Sequence, residues 1–158
     1  MHELAERLNA IGKQSKGHGL QYCSHNLTTE FEKLPDGSLG FDLLMRNTDP
    51  ELVTFELDCG WMYVAGVDPV SIMRRYPTRI KMLHIKDFKA RKPATLTMTG
   101  NAPPVPADLG TGYLDYKAVF AEGRRIGVEH CFAEQDAPFE VSSLASAAAA
   151  YRFLHSAQ

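Results

Sequence analysis

The stretch KMLHIKDF, residues 81 to 88, begins as an apolar run and ends with a histidine, a lysine and an aspartate within four positions. In an extended chain successive side chains alternate, so Met82, His84 and Lys86 share one face while Leu83, Ile85 and Asp87 share the other. An apolar strand that turns ionisable at its C-terminal end marks a candidate site. Three other segments finish in the same way: CSHN with His25, ELDC with Asp58, and AEQD with Glu134 and Asp136. Taken singly, the histidines read as structural or exposed groups and the aspartates as caps of the next helix. Taken together, His25, Asp58, His84 and Glu134 form a mixed nitrogen and oxygen donor set suited to one divalent ion, Mn²⁺, Mg²⁺, Co²⁺ or Zn²⁺. Ionisable side chains are costly to bury as a group unless they are paired or coordinated.

The elements that must position these residues follow from periodicity. HELAERLNAIGKQSK places Leu4, Leu8 and Ile11 at helical spacing, and KGHG ends it. GLQYCSHN is the first expected strand, and LPDGSLG turns the chain into FDLLMRNT, a short helix stopped at Asp49-Pro50. LVTFELDC is the second strand, and DPVSIMRRYP starts a helix with Asp68 as N-cap and Pro69 in the first turn. RIKMLHIKD is the third strand, YKAVFAEGRRIG a helix, VEHCFAEQD the fourth strand, and VSSLASAAAAYRFLHSA an alanine-rich closing helix. A helix followed by four strand-helix units is the pattern of an α/β fold with a parallel sheet, whose chemistry gathers at the strand C-termini. A long loop insertion over residues 89 to 112 reads equally as a lid, a partner-binding segment or a disordered surface stretch.

At 158 residues the chain is expected to form a single domain, residues 1 to 158, with a sizeable core. A net charge of -2 supplies no field for a polyphosphate backbone, so no nucleic-acid partner is expected, and the short basic run KARK at 89 to 92 reads as a solvated loop. No apolar run reaches the roughly 18 residues of a membrane span, and MHELAERLNA lacks a signal-like apolar core, so a soluble, untargeted, cytoplasmic chain is expected. Cys23, Cys59 and Cys131 are odd in number and set in strand-like runs; the expectation is that they are reduced and buried.

The series GLQYCSHNLTTEF, ELDCGWMYVAGVDPV, YPTRIKMLHIKDF, LGTGYLDY and VEHCFAEQD, in that order, resembles the C-terminal half of the xylose-isomerase-like sugar phosphate isomerase/epimerase family, which includes inosose dehydratases and ketose 3-epimerases. The resemblance implies a (β/α)₈ TIM-barrel type of fold with only about four βα units present, because a full barrel takes roughly 250 residues. It also implies one divalent metal ion held by His25 or Glu30, Asp58, His84 and Glu134. Lys86 would face the oxygens of a small-molecule sugar or sugar derivative, Asn26 would contact it, and Trp61 would either wall the pocket or pack in the core. Glu134 is the first choice of base, with His25 or Glu30 serving the opposite face. Leu27 stands where related members carry a second histidine, and epimerases carry a glutamate at the His25 position, so a simple two-glutamate proton swap is not implied.

The implied function is metal-dependent isomerisation, epimerisation or dehydration next to a sugar carbonyl through an enediolate. Two alternatives stand beside it: an inert half-barrel acting as a binding or assembly subunit, and a metal-dependent abasic-site endonuclease, for which the chain shows no basic groove. Open sheet edges predict a homo-oligomer. LGTGYLDY reads as a turn that orients Asp115 as a helix cap or as a phosphate cradle. Glu56, in phase with Asp58, is expected one layer below the ion, and Asp87 is expected to brace the loop that follows.

Overall fold

A computed structural model describes residues 1–89 and 104–157. The chain forms helix α1 (His2–Gly17), strand β1 (Tyr22–His25), a 3₁₀ turn (Thr29–Phe31), α2 (Gly40–Asn47), β2 (Val53–Asp58), α3 (Cys59–Val64) and α4 (Pro69–Arg75). There follow β3 (Ile80–Ile85), β4 (Asp87–Phe88), β5 (Pro106–Ala107), α5 (Tyr116–Ile126), β6 (His130–Ala133) and α6 (Ser143–Ser156). The main sheet is parallel in the order β1-β2-β3-β6. This is the expected α/β half-barrel: four parallel strands joined by crossover helices.

Local chemistry explains the helices. Asp68 caps α4 by accepting from Val70 N–H, with Pro69 at the first position, as its sequence predicts. Asp115 caps α5 through Ala118 N–H, as the capping reading of LGTGYLDY expects, and the Gly110 and Gly112 N–H groups are bonded to Asp87. On α5 the buried positions Tyr116, Val119, Phe120 and Gly123 follow the helical stripe, and Gly127 ends the helix in the left-handed conformation at φ 76°. Asp42 of α2 accepts from Tyr76 Oη at 2.6 Å and from Arg75 at 2.9 and 3.1 Å, tying α2 to the end of α4. Burial pushes the Asp42 carboxyl up, but these partners outweigh it and hold the group below its usual range.

The structure departs from the sequence reading in three places. A short helix, α3, follows β2 directly, because Asp58 ends the strand and caps the helix in one step. Part of the expected irregular insertion is ordered: β4 pairs antiparallel with β5, while residues 90–103, and with them the lid or partner-binding readings, lie outside the described residues. The free cysteines are not uniformly buried: Cys59 is buried, Cys23 half-buried and Cys131 exposed, because Cys131 lies on the edge strand β6. Of the KARK run, Lys89 is exposed, as expected of a solvated loop, and forms a surface ion pair with Glu140 ahead of α6, while residues 90–92 lie outside the described residues. Among the described residues no helix is long and apolar enough to cross a membrane.

Candidate functional site

Parallel register brings three strand ends together. His25 of β1 lies beside Glu56 of β2, and Asp58, two residues further on the same face, lies beside His84 of β3. Asp58 is fully buried. Its Oδ1 accepts from Trp61 N–H at 2.7 Å, which caps α3, so that oxygen is committed to the backbone. Among the described residues its Oδ2 makes no hydrogen bond. His84 Nδ1 stands 3.1 Å and His25 Nε2 3.5 Å from that oxygen, close enough for attraction yet out of line for a hydrogen bond. The two ring nitrogens are 2.8 Å apart.

Three lone-pair donors thus converge, their ligand atoms all within 4.8 Å of one another. A buried carboxylate oxygen without a donor, faced by two imidazole nitrogens, has the makeup of a divalent-cation site. The electrostatics agree. Burial would raise the Asp58 carboxyl, but the two imidazoles and the Trp61 N–H hold it below its usual range. Asp58 is also the main reason the His84 imidazole is raised, against the opposing effect of burial.

The other candidates occupy distinct places. Glu134, just past β6, puts Oε2 3.4 Å from His84 Nε2 and 2.6 Å from Lys86 Nζ, so it sits at the far nitrogen of His84 and outside the group of three. Glu30 lies in the 3₁₀ turn, where its carboxylate accepts from Leu27 N–H at 3.0 Å and from Thr29 Oγ1 at 3.2 Å. Asn26 lies beneath the site: it is 2% exposed, its Oδ1 accepts from Asp58 N–H at 3.0 Å, and its Nδ2 donates to Asp58 O and Leu27 O. It fixes the level of Asp58 relative to β1. Glu56 is half-buried and adds to the negative potential around His84.

Lys86 is nearly buried, with its ammonium bound by Glu134 and by Asp136 Oδ2 at 2.7 Å and lying 4.9 Å above the Trp61 ring. Burial alone would lower its pKa, but the two carboxylates raise it instead. Trp61 packs between this ammonium and Phe88, whose ring centroid is 5.4 Å away. A residue with no sequence signal, Tyr116 of α5, pins the strand end: its hydroxyl accepts from Lys86 N–H at 2.9 Å and donates to Lys86 O at 2.7 Å. Burial pushes the Tyr116 phenol well above its usual range, so it stays a donor. Gly60 is required there, because a Cβ would stand 2.6 Å from Lys86 O.

Asp87 braces the loop, as expected. Its carboxylate accepts backbone N–H groups from Phe88, Gly110, Gly112, Tyr113 and Leu114 at 2.9–3.2 Å. Gly112 permits this, since a Cβ there would meet Asp87 Oδ1 at 2.2 Å. Asp87 thus points away from His84, in line with the alternation of the strand.

No protein-family model matches the chain. An inosose dehydratase from Salmonella agona is 34% identical over 128 residues, which are 75% of this chain and 40% of the dehydratase. A sugar phosphate isomerase/epimerase from Parabacteroides distasonis superposes with a TM-score of 0.78 at 25% identity, over 97% of this chain and 53% of the other. A xylose isomerase-like TIM barrel protein from Mycobacterium smegmatis, in complex with magnesium, shares the fold with a TM-score of 0.67 at 20% identity, over 99% of this chain and 50% of the other. The chain therefore spans about half the length, or less, of the proteins it matches.

Proposed function

The chain belongs to the xylose-isomerase-like sugar phosphate isomerase/epimerase family, spanning about half of its barrel, and from that premise we propose that it carries a divalent-metal site for isomerisation, epimerisation or dehydration next to a sugar carbonyl. The observation that carries this reading is the convergence of His25 Nε2, Asp58 Oδ2 and His84 Nδ1 around a buried carboxylate oxygen without a hydrogen-bond donor. These three would hold the ion, with Glu134 as a fourth ligand reached by a turn of its half-exposed side chain. Mn²⁺, Mg²⁺, Co²⁺ and Zn²⁺ all suit this donor set.

When bound, the ion supplies Lewis-acid stabilisation of negative charge on a carbonyl oxygen. Glu134 is the base that takes the proton from the neighbouring carbon, leaving an enediolate, because its carboxylate is the one at the open side of the site. Lys86, held almost out of water, offers a fixed positive charge to the developing oxyanion. His25 serves the opposite face, and Trp61 supplies an apolar wall behind Lys86.

We also propose that this unit self-associates, since β1 and β6 are open edges and a second copy would pair them. The test of the metal reading is Mn²⁺ titration calorimetry on the 158-residue chain with Asp58→Asn and His84→Ala alongside. One ion per chain, lost in both variants, is the expected result. A parent chain that binds no Mn²⁺ would overturn the metal reading and favour an assembly subunit without chemistry.

A further inference from the structure

Lys86 has two acidic partners where one would neutralise it. Its side chain is 4% exposed, and its ammonium meets Glu134 at 2.6 Å, Asp136 at 2.7 Å and the Trp61 face at 4.9 Å. Glu134 is claimed from two directions, because the same Oε2 also stands 3.4 Å from His84 Nε2. If Glu134 leaves the ammonium, Lys86 becomes a nearly buried cation, and an unpaired buried charge is strongly unfavourable. One residue prevents that outcome. Asp136 lies two positions beyond Glu134 and contacts the ammonium independently, with its own side chain half-exposed.

We propose that Asp136 is a positioning residue that holds the Lys86 ammonium in place so that Glu134 is free to serve the ion and the substrate. This rests on the reading of Glu134 as a ligand and base, and it goes beyond that reading in giving Asp136 a task of its own. The pairing works as an exchange. With Asp136 present, Glu134 can move from ammonium to ion while Lys86 keeps one carboxylate. Without it, Lys86 and the ion compete for a single acid. The Trp61 ring face adds a cation–π contact to the ammonium at 4.9 Å.

Two measurements test this, and only one needs the ion. In the first, ¹⁵N NMR of the Lys86 ammonium is recorded without metal. Its slowly exchanging signal is expected in the parent and in Glu134→Gln, where Asp136 alone holds the ammonium, and is expected to vanish only when Asp136→Asn is added to Glu134→Gln. A signal lost in Glu134→Gln alone would show that Asp136 cannot hold the ammonium and would overturn the proposal. In the second, Mn²⁺ affinity is compared by calorimetry. Asp136→Asn is expected to weaken it by about tenfold, the scale on which residues supporting a ligand act, and to change nothing when introduced into Lys86→Met. An equal loss in the Lys86→Met background would mean that Asp136 acts on the ion directly, and would also overturn the proposal. A parent that binds no Mn²⁺ would strike the metal reading alone, and the ammonium signal would then decide the role of Asp136.

Discussion

Val53, Phe55 and Leu57 of β2 and Ile80, Leu83 and Ile85 of β3 are all at most 1% exposed, whereas every residue of β6 is exposed and Phe132 reaches 50%. The strands are of one parallel sheet and of similar apolar character, so composition does not explain the contrast. Position does: among the described residues β2 and β3 have neighbours on both sides, while β6 is bonded to β3 alone. The helix over this flank covers it thinly. α6 buries only Ser146 and Ala150, and Val141 and Leu144 at its start stand 84% and 78% exposed. A cavity of about 290 Å³ bounded by Leu83, Phe120, Cys131 and Leu154 opens between α5, α6 and the sheet. The candidate site draws on both regions. Asp58, His84 and Lys86 belong to the packed centre, while Glu134 and Asp136 come from the open flank. Of the proposed ion-binding trio, Asp58 and His84 thus stand on packed central strands and His25 on the edge strand β1, while the acids proposed to serve substrate and lysine come from the thinly covered flank.

The largest effect that could break this contrast comes from truncating matched leucines. Leu57→Ala is expected to cost about 2–5 kcal/mol in urea unfolding, and Leu144→Ala less than about 0.5 kcal/mol. Comparable losses would mean the flank is packed in solution. If a second copy covers it, sedimentation equilibrium will show self-association that Leu144→Ala weakens without changing monomer stability.

A smaller effect is expected at Asp87, which belongs to the centre but braces a loop. Asp87→Asn replaces an acceptor oxygen with a donor among five backbone N–H groups and should cost about 1–3 kcal/mol, leaving Mn²⁺ affinity within about twofold. A large loss of Mn²⁺ binding with little loss of stability would reverse the assigned phase of β3.

The smallest effect is in acid. Because the folded-state pKa of Asp42 lies below its unfolded value of about 3.9, its contribution is fully present above that value and is lost as pH falls through the lower, folded one. Asp42→Asn should therefore flatten the acid limb of the stability profile. Glu140→Gln, on the exposed pair with Lys89 at the flank, should shift stability at neutral pH by less than about 0.5 kcal/mol. An Asp42→Asn variant that retains the full acid limb would show that other carboxylates govern it.

Much of this architecture was legible before any coordinates. Period-two alternation placed His84 and Asp87 on opposite faces, and the strand-end rule singled out His25 and Asp58, because both depend only on backbone geometry. Asp68-Pro69 announced a helix start for the same local reason. What the sequence hid was set by contacts distant along the chain. Nothing near Tyr116 indicates that its hydroxyl will clamp Lys86, thirty residues earlier. Asn26 looked available to substrate until the strands were paired and its amide was taken up by the Asp58 backbone. Cys131 looked buried because an apolar strand usually has two neighbours, and β6 has one.

The divided use of Asp58, with one oxygen on the Trp61 N–H and the other facing the imidazoles, bears on how such a chain would drift if its chemistry were no longer selected. The aspartate would persist for the sake of α3 alone, since its loss would uncap the helix. His25 and His84 bind no backbone group through their rings among the described contacts and would be free to change. Among relatives of this chain, therefore, the histidines would record whether an ion site is still under selection, and the aspartate would record only that the protein still folds.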